Sequence, residues 1–277
     1  MDVGQTGALP FNVAMQCSNN RFANASGKNA QAELKVELKD KGLGDWSFFD
    51  RVYCISLVNR QDRRVEAQAQ FARVGLGGRV EFVLVEKHAT NPEQGIYESH
   101  LLCMEKGLAS GAERILIFED DVVFLQYSPL RLAQLVRFMQ SHCGWDIFFL
   151  GCMVRNCWKL PGLPAARIRY RSLTHAYAIT AAFAKTITSQ HPWNNIAYDD
   201  FLRDLESERM YVAYPALAFQ SDSPSDNDVY LPLDRMRRMC GGLIVLQKFD
   251  QWYHRYRWRL IGLHVLVLAV ILWLLVR

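Results

Sequence analysis

The stretch Arg114-Ile-Leu-Ile-Phe-Glu-Asp-Asp-Val-Val-Phe124 decides how the rest of the chain is read. Ile115 to Phe118 form an apolar run without polar alternation, set off by Gly111 before it and by acids after it. Such a run reads as a strand buried on both faces, which needs helices above and below it. In sheets of this kind, ligands bind beyond the carboxyl ends of the strands. Glu119, Asp120 and Asp121 occupy that position. Three adjacent carboxylates repel one another and cost stability unless a cation or hydrogen-bond donors neutralise them. Their oxygens suit a hard divalent ion, Mg²⁺ or Mn²⁺, of the kind that bridges a diphosphate. A solvated acidic turn is the plainer reading of the same residues.

Outward from this strand the pattern alternates. Upstream, Arg51–Val58 reads as a strand, Gln61–Arg73 as a helix ending at Gly75, and Val80–Val85 as a second strand after the Gly77-Gly78 turn. Tyr97–Ser110 fits a helix closed by Gly111. Downstream, Leu130–Cys143 fits a helix and Asp146–Leu150 a strand. The expected fold class is α/β: a mixed, mainly parallel, Rossmann-like sheet flanked by helices. No GxxxxGK[ST] loop is present, and Gly75–Gly78 leads into a strand where a dinucleotide fingerprint would open a helix.

The chain has 277 residues, 50% of them hydrophobic and 22% charged, values of a folded core that exclude wholesale disorder and a multi-span membrane protein. Its seven cysteines are odd in number and lack CxxC spacing, so they read as reduced core thiols in a reducing compartment. The net charge is +4. From Leu231 onward eight Lys or Arg face two Asp, a tail of +6, which leaves residues 1–230 at −2. A slightly acidic body disfavours nucleic acid as a partner.

That basic tail ends in Leu260–Val276, an uncharged apolar run. At 1.5 Å per residue it makes about 25 Å of helix, close to the thickness of a bilayer core. Aromatic and basic residues interleave before it (QWYHRYRWR), as at a headgroup layer. The expected organisation is a polar, mobile leader over 1–45, with a short helix at 30–41. An α/β domain follows over 46–230, then a basic amphipathic juxtamembrane segment over 231–259 and a single-pass C-terminal anchor over 260–276. The domain is expected on the cytoplasmic side, at the inner membrane in a bacterium. The N-terminus carries no secretory pattern.

Several segments, taken in order, resemble glycosyltransferase family 25, which includes lipooligosaccharide galactosyl- and glucosyltransferases and collagen galactosyltransferase domains. They are FDRVYCISLVNRQDRR, Glu98-Ser99-His100, ILIFEDDVVF, Trp145-Asp146-Ile147-Phe148-Phe149-Leu150-Gly151, His175–Thr180, Tyr198-Asp199-Asp200-Phe201-Leu202, and Tyr214-Pro215 through Gln220 with Ser225-Asp226 beyond. The resemblance covers about residues 48–230 and implies the GT-A fold. It also implies a UDP-galactose or UDP-glucose donor, inversion at the anomeric carbon, and a saccharide or glycolipid acceptor of the lipooligosaccharide type. The Ser-His pair is expected to open a helix. Ser56, the loop Glu86-Lys87-His88-Ala89 and Asn227 depart from the family pattern.

Roles follow from the same resemblance. Asp121 is the strongest metal ligand, with Glu119 toward the ion or the ribose and Asp120 in support. Asp199 is the first candidate for the general base and Asp200 the second, and both also read as acids at a helix N-terminus. Arg60, Arg63 and Arg64 would meet the uracil or the diphosphate, or else form a solvated helix face. His175 and Asp226 are candidate donor or metal contacts, and His100 is a ligand or a structural histidine. Trp158 and Trp193 could stack on an acceptor sugar, whereas Trp145 and Tyr177 read as core. The rival to the enzyme is a non-catalytic relative serving as a membrane-tethered binding or assembly module.

Overall fold

The computed structural model describes residues 45–142, 144–205, 207, 209–223, 236–237, 239 and 241–277. The leader up to residue 44, the helix expected over 30–41 and Asp226 lie outside the described residues. The apolar run becomes β3 (Arg114–Glu119), flanked by β1 (Arg51–Leu57), with β2 (Val80–Val85) beyond it. These three strands are mutually parallel. On the other side of β3 the order is β8 (Ala176–Thr180), β5 (Ile147–Phe149), β9 (Met210–Ala213), β7 (Ala165–Ser172) and β6 (Met153–Lys159). Only β8 and β7 run against the rest, so six of the eight strands share one direction. The mixed, mainly parallel sheet flanked by helices is as expected.

Packing on both faces of β3 explains why Ile115–Phe118 is apolar throughout. Leu116 and Phe118 pack with α1 (Gln61–Arg73) and α3 (Pro129–Ser141) through Ala67, Phe71, Leu132 and Leu135. Ile115 and Ile117 face the opposite layer, α2 (Pro92–Ala109), α4 (Ala181–Gln190) and α5 (Tyr198–Asp204), through Tyr97, Met104, Ile187 and Leu202. Each such side chain contributes about 1.5–3 kcal/mol on burial. The layers are tight: a Cβ on Gly107 would lie 2.3 Å from Ile115 Cδ1, so only glycine lets α2 approach β3 this closely.

Two helices start earlier than the periodicity suggests. α2 begins at Pro92, not Tyr97, because the Asn91 side chain accepts from the N–H groups of Glu93 and Gln94 and Pro92 fills the first turn. Ser99-His100 therefore sits mid-helix and does not open it. α3 begins at Pro129 because the Ser128 hydroxyl accepts from Arg131 N–H. Cys54, Cys103, Cys152 and Cys157 are buried and unbridged, and burial pushes the Cys103 thiol up to about 12.

The chain closes with α6 (Leu243–Val276), one continuous helix that takes in the apolar run and the part of the basic segment from Leu243 onward. Beyond Arg259 it touches little. Its first turns dock on the domain through an unusual stripe: the buried positions are Leu243, Gln247, Asp250 and His254, while Phe249, Trp252, Tyr253 and Trp258 face outward. The spacing of that stripe is helical, but its polarity is inverted relative to a water-facing helix. Among the described residues, α6 is the helix long and apolar enough to cross a membrane.

Candidate functional site

The parallel strands β1, β2 and β3 end together, and a cavity of about 400 Å³ opens beyond them. Its floor is Glu119, Asp120 and Asp121, where β3 turns into the short β4 (Val122–Val123). Strand β10 (Phe219–Gln220) pairs antiparallel with β4 and brings Gln220 and Ser221 to the same wall.

The three acids have different partners. Asp120 Oδ1 accepts from Arg63 Nη1 at 3.2 Å, both side chains being nearly buried. Burial pushes its carboxyl up, against the Ser56 hydroxyl and the Arg63 charge. Burial would also raise Glu119, but the His100 imidazole and the Thr174 hydroxyl outweigh it and hold this carboxyl below its usual range. Thr174 Oγ1 donates to Glu119 Oε1 at 2.7 Å, and His100 Nε2 lies 3.6 Å from the same oxygen. Asp121 is the least compensated. Gln220 Nε2 donates to its Oδ2 at 2.9 Å, but its Oδ1 is buried without a hydrogen-bond partner. Burial, and then repulsion from Glu119, push Asp121 up to about 7. A buried carboxylate oxygen with nothing to accept from is the condition that a cation relieves.

Among the described residues, no three His, Cys, Asp or Glu side chains converge as a ready-made metal cage. Two carboxylates lining a cavity suit an ion whose remaining ligands are water and phosphate oxygens, the habit of Mg²⁺. The residues present therefore fit a divalent cation that binds together with a diphosphate.

Opposite the acids, Asp199 and Asp200 start α5 and line the cavity. Asp199 Oδ1 accepts a hydrogen bond from the Tyr170 hydroxyl, and its Oδ2 accepts from Leu173 N–H at 3.2 Å. Burial pushes the Asp199 carboxyl up. Asp200 pairs with Arg203 at 2.6 Å and is more open to solvent. Behind Glu119, His100 Nδ1 lies 3.0 Å from the Tyr177 hydroxyl, which lies 2.9 Å from the Tyr198 hydroxyl, and the His100 ring stacks on Tyr198 at 4.2 Å. His100 both lines the cavity and belongs to this buried network.

Of the three arginines, only Arg63 lines the cavity. Arg60 pairs with Asp62 at 2.9 Å. Arg64 donates to the carbonyls of Leu57 and Val58, tying helix α1 to the end of β1. His175 is fully buried and not in the cavity wall. Burial pushes its imidazole down to about 4, and its carbonyl accepts from Glu119 N–H. Trp158 sits on β6 under Arg167, and Trp193 packs edge-on to Tyr97. Neither tryptophan faces the cavity. Trp145 and Tyr177 are core, as read.

The divergent loop contributes Glu86, Lys87 and His88 to the rim. Thr174, Tyr170 and Gln220 are contributors that the sequence did not single out. Gln220 stood inside a recognised segment, and its nearness to the acids was the missing information. Tyr170 reaches Asp199 from another strand and left no local signal.

No family model matches the chain. A human protein named inactive glycosyltransferase 25 family member 3 is 30% identical over 187 residues, 56% of this chain and 31% of its own length. The mouse protein of that name is 29% identical over 203 residues, 60% of this chain and 34% of its own. A glycosyltransferase 25 family member of Aedes aegypti is 36% identical over 62 residues, 22% of this chain and 10% of its own. The chain thus matches about a third or less of the length of these relatives. Among solved structures, a glycosyltransferase involved in the glycosylation of the major capsid of PBCV-1 aligns at 13% identity with a TM-score of 0.40, covering 68% of this chain and 99% of that one.

Proposed function

We propose that this chain, related in sequence to glycosyltransferase 25 family members, is a membrane-tethered, metal-dependent, inverting hexosyltransferase. The donor is a UDP-sugar, UDP-galactose or UDP-glucose, and the acceptor is a saccharide or glycolipid of the lipooligosaccharide type. The observation that carries this reading is the orphaned Asp121 oxygen at the floor of the cavity, beside Glu119. Asp121 and Glu119 would hold Mn²⁺ or Mg²⁺, which supplies electrostatic stabilisation of the diphosphate leaving group. Arg63 fixes Asp120 and adds a positive charge under the same floor.

Inversion is a single displacement, so one base must take the proton of the acceptor hydroxyl as its oxygen attacks opposite the diphosphate. Asp199 is assigned that role. Tyr170 and Leu173 N–H hold its carboxylate in place while each oxygen keeps a further lone pair. Its raised pKa makes it a better proton acceptor than an exposed aspartate. The inverted stripe of α6, polar inward and aromatic outward, supports a tether at the bilayer surface, and Arg255, Arg257 and Arg259 just before the apolar run favour the cytoplasmic side for the domain.

A second reading is favoured by the same acids. Both Asp199 oxygens are engaged, and Asp200 is paired with Arg203. A donor-binding module without transfer would look the same, and two of the three relatives named above carry the word inactive in their names. Mn²⁺-dependent hydrolysis of UDP-galactose and UDP-glucose, measured for the wild type and Asp199→Asn, separates the two. The enzyme reading expects hydrolysis that falls about 10²–10⁴-fold in the variant. Metal-dependent UDP binding without hydrolysis selects the binding module, and loss of both sinks the cation site.

A further inference from the structure

We propose that Gln247, on the membrane-directed helix α6, is a positioning residue for the cation site, so that the helix completes the site as well as tethering it. This deepens the reading of Asp121 as a cation ligand and rests on it.

The chain of contacts is short. Gln247 is buried, and its amide is fully used. Its Oε1 accepts from Gln220 N–H at 3.0 Å, while its Nε2 donates to Gln220 O at 3.0 Å and to Leu243 O at 3.1 Å. A side-chain amide that takes both the N–H and the C=O of one residue does what a neighbouring strand would do. It closes the outer edge of β10, whose inner edge is paired with β4. Gln220 is thereby held on both sides, and its own side chain donates to Asp121 Oδ2 at 2.9 Å. Ser221 N–H donates to the Asp121 carbonyl at 2.8 Å, fixing the backbone of the same acid. With Oδ2 engaged, Oδ1 is the oxygen left for an ion.

The rest of the docking stripe keeps Gln247 in register. Asp250 Oδ2 accepts from Val154 N–H at 3.3 Å, and His254 Nε2 lies 3.1 Å from Val154 O, a second strand-like pairing, here to β6. Gln251 Oε1 accepts from Ala216 N–H at 3.1 Å. The Asp222 carboxylate accepts from Leu243 N–H and fixes the first turn of the helix. A polar face paired to the backbone at Gln220 and Val154 is costly to bury and has geometric specificity that an apolar face would lack. Removal of a residue that orients a metal ligand typically costs 10–100-fold in metal affinity.

The test uses the full chain in detergent micelles and compares Gln247→Ala with Gln251→Ala, which removes a similar bond from the same helix but not to the strand that holds Asp121. Mn²⁺ affinity is read from the free-ion EPR signal, with Tm beside it. Gln247→Ala should weaken Mn²⁺ binding about tenfold or more, and Gln251→Ala less than twofold at a comparable loss of Tm. Equal loss in both variants, or none in either, overturns the inference and leaves the cation site standing. If the wild type binds no Mn²⁺, the cation reading itself fails. Hydrogen exchange across Phe118–Phe124 then decides the coupling: faster exchange in Gln247→Ala alone keeps it, and unchanged exchange removes it.

Discussion

Two regions of this molecule bury polar side chains, and they do so in opposite ways. Along the first turns of α6, Gln247, Asp250 and His254 each meet a backbone partner. At the end of β3, Asp121 is equally buried but keeps one oxygen with no partner, next to a second carboxylate that repels it. The first arrangement is construction: it joins a helix to sheet edges that would otherwise expose unpaired N–H and C=O groups. The second stores unfavourable energy at the cavity floor, where an incoming charge can release it.

The contrast gives opposite signs when each acid is neutralised or removed. The largest effect is expected from Asp121→Asn: sugar transfer falls about 10³-fold or more, roughly 4 kcal/mol of lost stabilisation. At the same time, the cation-free protein becomes more stable at pH 7 and above, measured by Tm with EDTA present. Arg63→Ala comes next. It leaves Asp120 buried without its partner and should cost about 3 kcal/mol in urea unfolding. Asp250→Ala acts on the constructed region, stripping Val154 N–H of its acceptor. It should lower stability by about 1–3 kcal/mol, the sign opposite to Asp121→Asn. A stabilised Asp250→Ala protein would erase the distinction between the two regions.

The smallest effect is a slope. Asp121 is raised to about 7, so between about pH 4 and 7 the folded state binds more protons than the unfolded one. Its contribution is fully present below about pH 4 and makes cation-free stability fall as pH rises through that window. Subtracting the Asp121→Asn profile isolates this slope, which amounts to a few kcal/mol at most over the window. Saturating Mn²⁺ should flatten the wild-type profile, because the ion takes over from the proton.

The legible parts of the fold were those whose signal is local. The bounds of Gln61–Arg73 and Val80–Val85 came directly from composition and glycines, because both segments fold on their own periodicity. Helix α2 was read five residues short because its apolar spacing begins at Tyr97, while its start is set by the Asn91-Pro92 cap. At the site, the acids, Arg63 and the Asp199-Asp200 pair were readable from position and resemblance. Arg60 and Arg64 were not separable from Arg63, since which of the three turns inward depends on the carbonyls of Leu57 and Val58. His175 reads as a candidate donor or metal contact in the sequence, yet it is fully buried away from the cavity. Tyr170, Thr174 and Gln247 reach their partners across 29, 55 and 27 residues, distances at which no spacing rule operates.

The uninterrupted run of α6 has a consequence for reach. Its 34 residues span about 50 Å as a rigid rod. With the apolar half in hydrocarbon, as proposed above, the docked half would set the height of the cavity above the lipid headgroups. A stiff mast of this kind works as a ruler. Acceptor hydroxyls at one stand-off from the bilayer would be served, and those on much longer or shorter glycan stems would pass out of register.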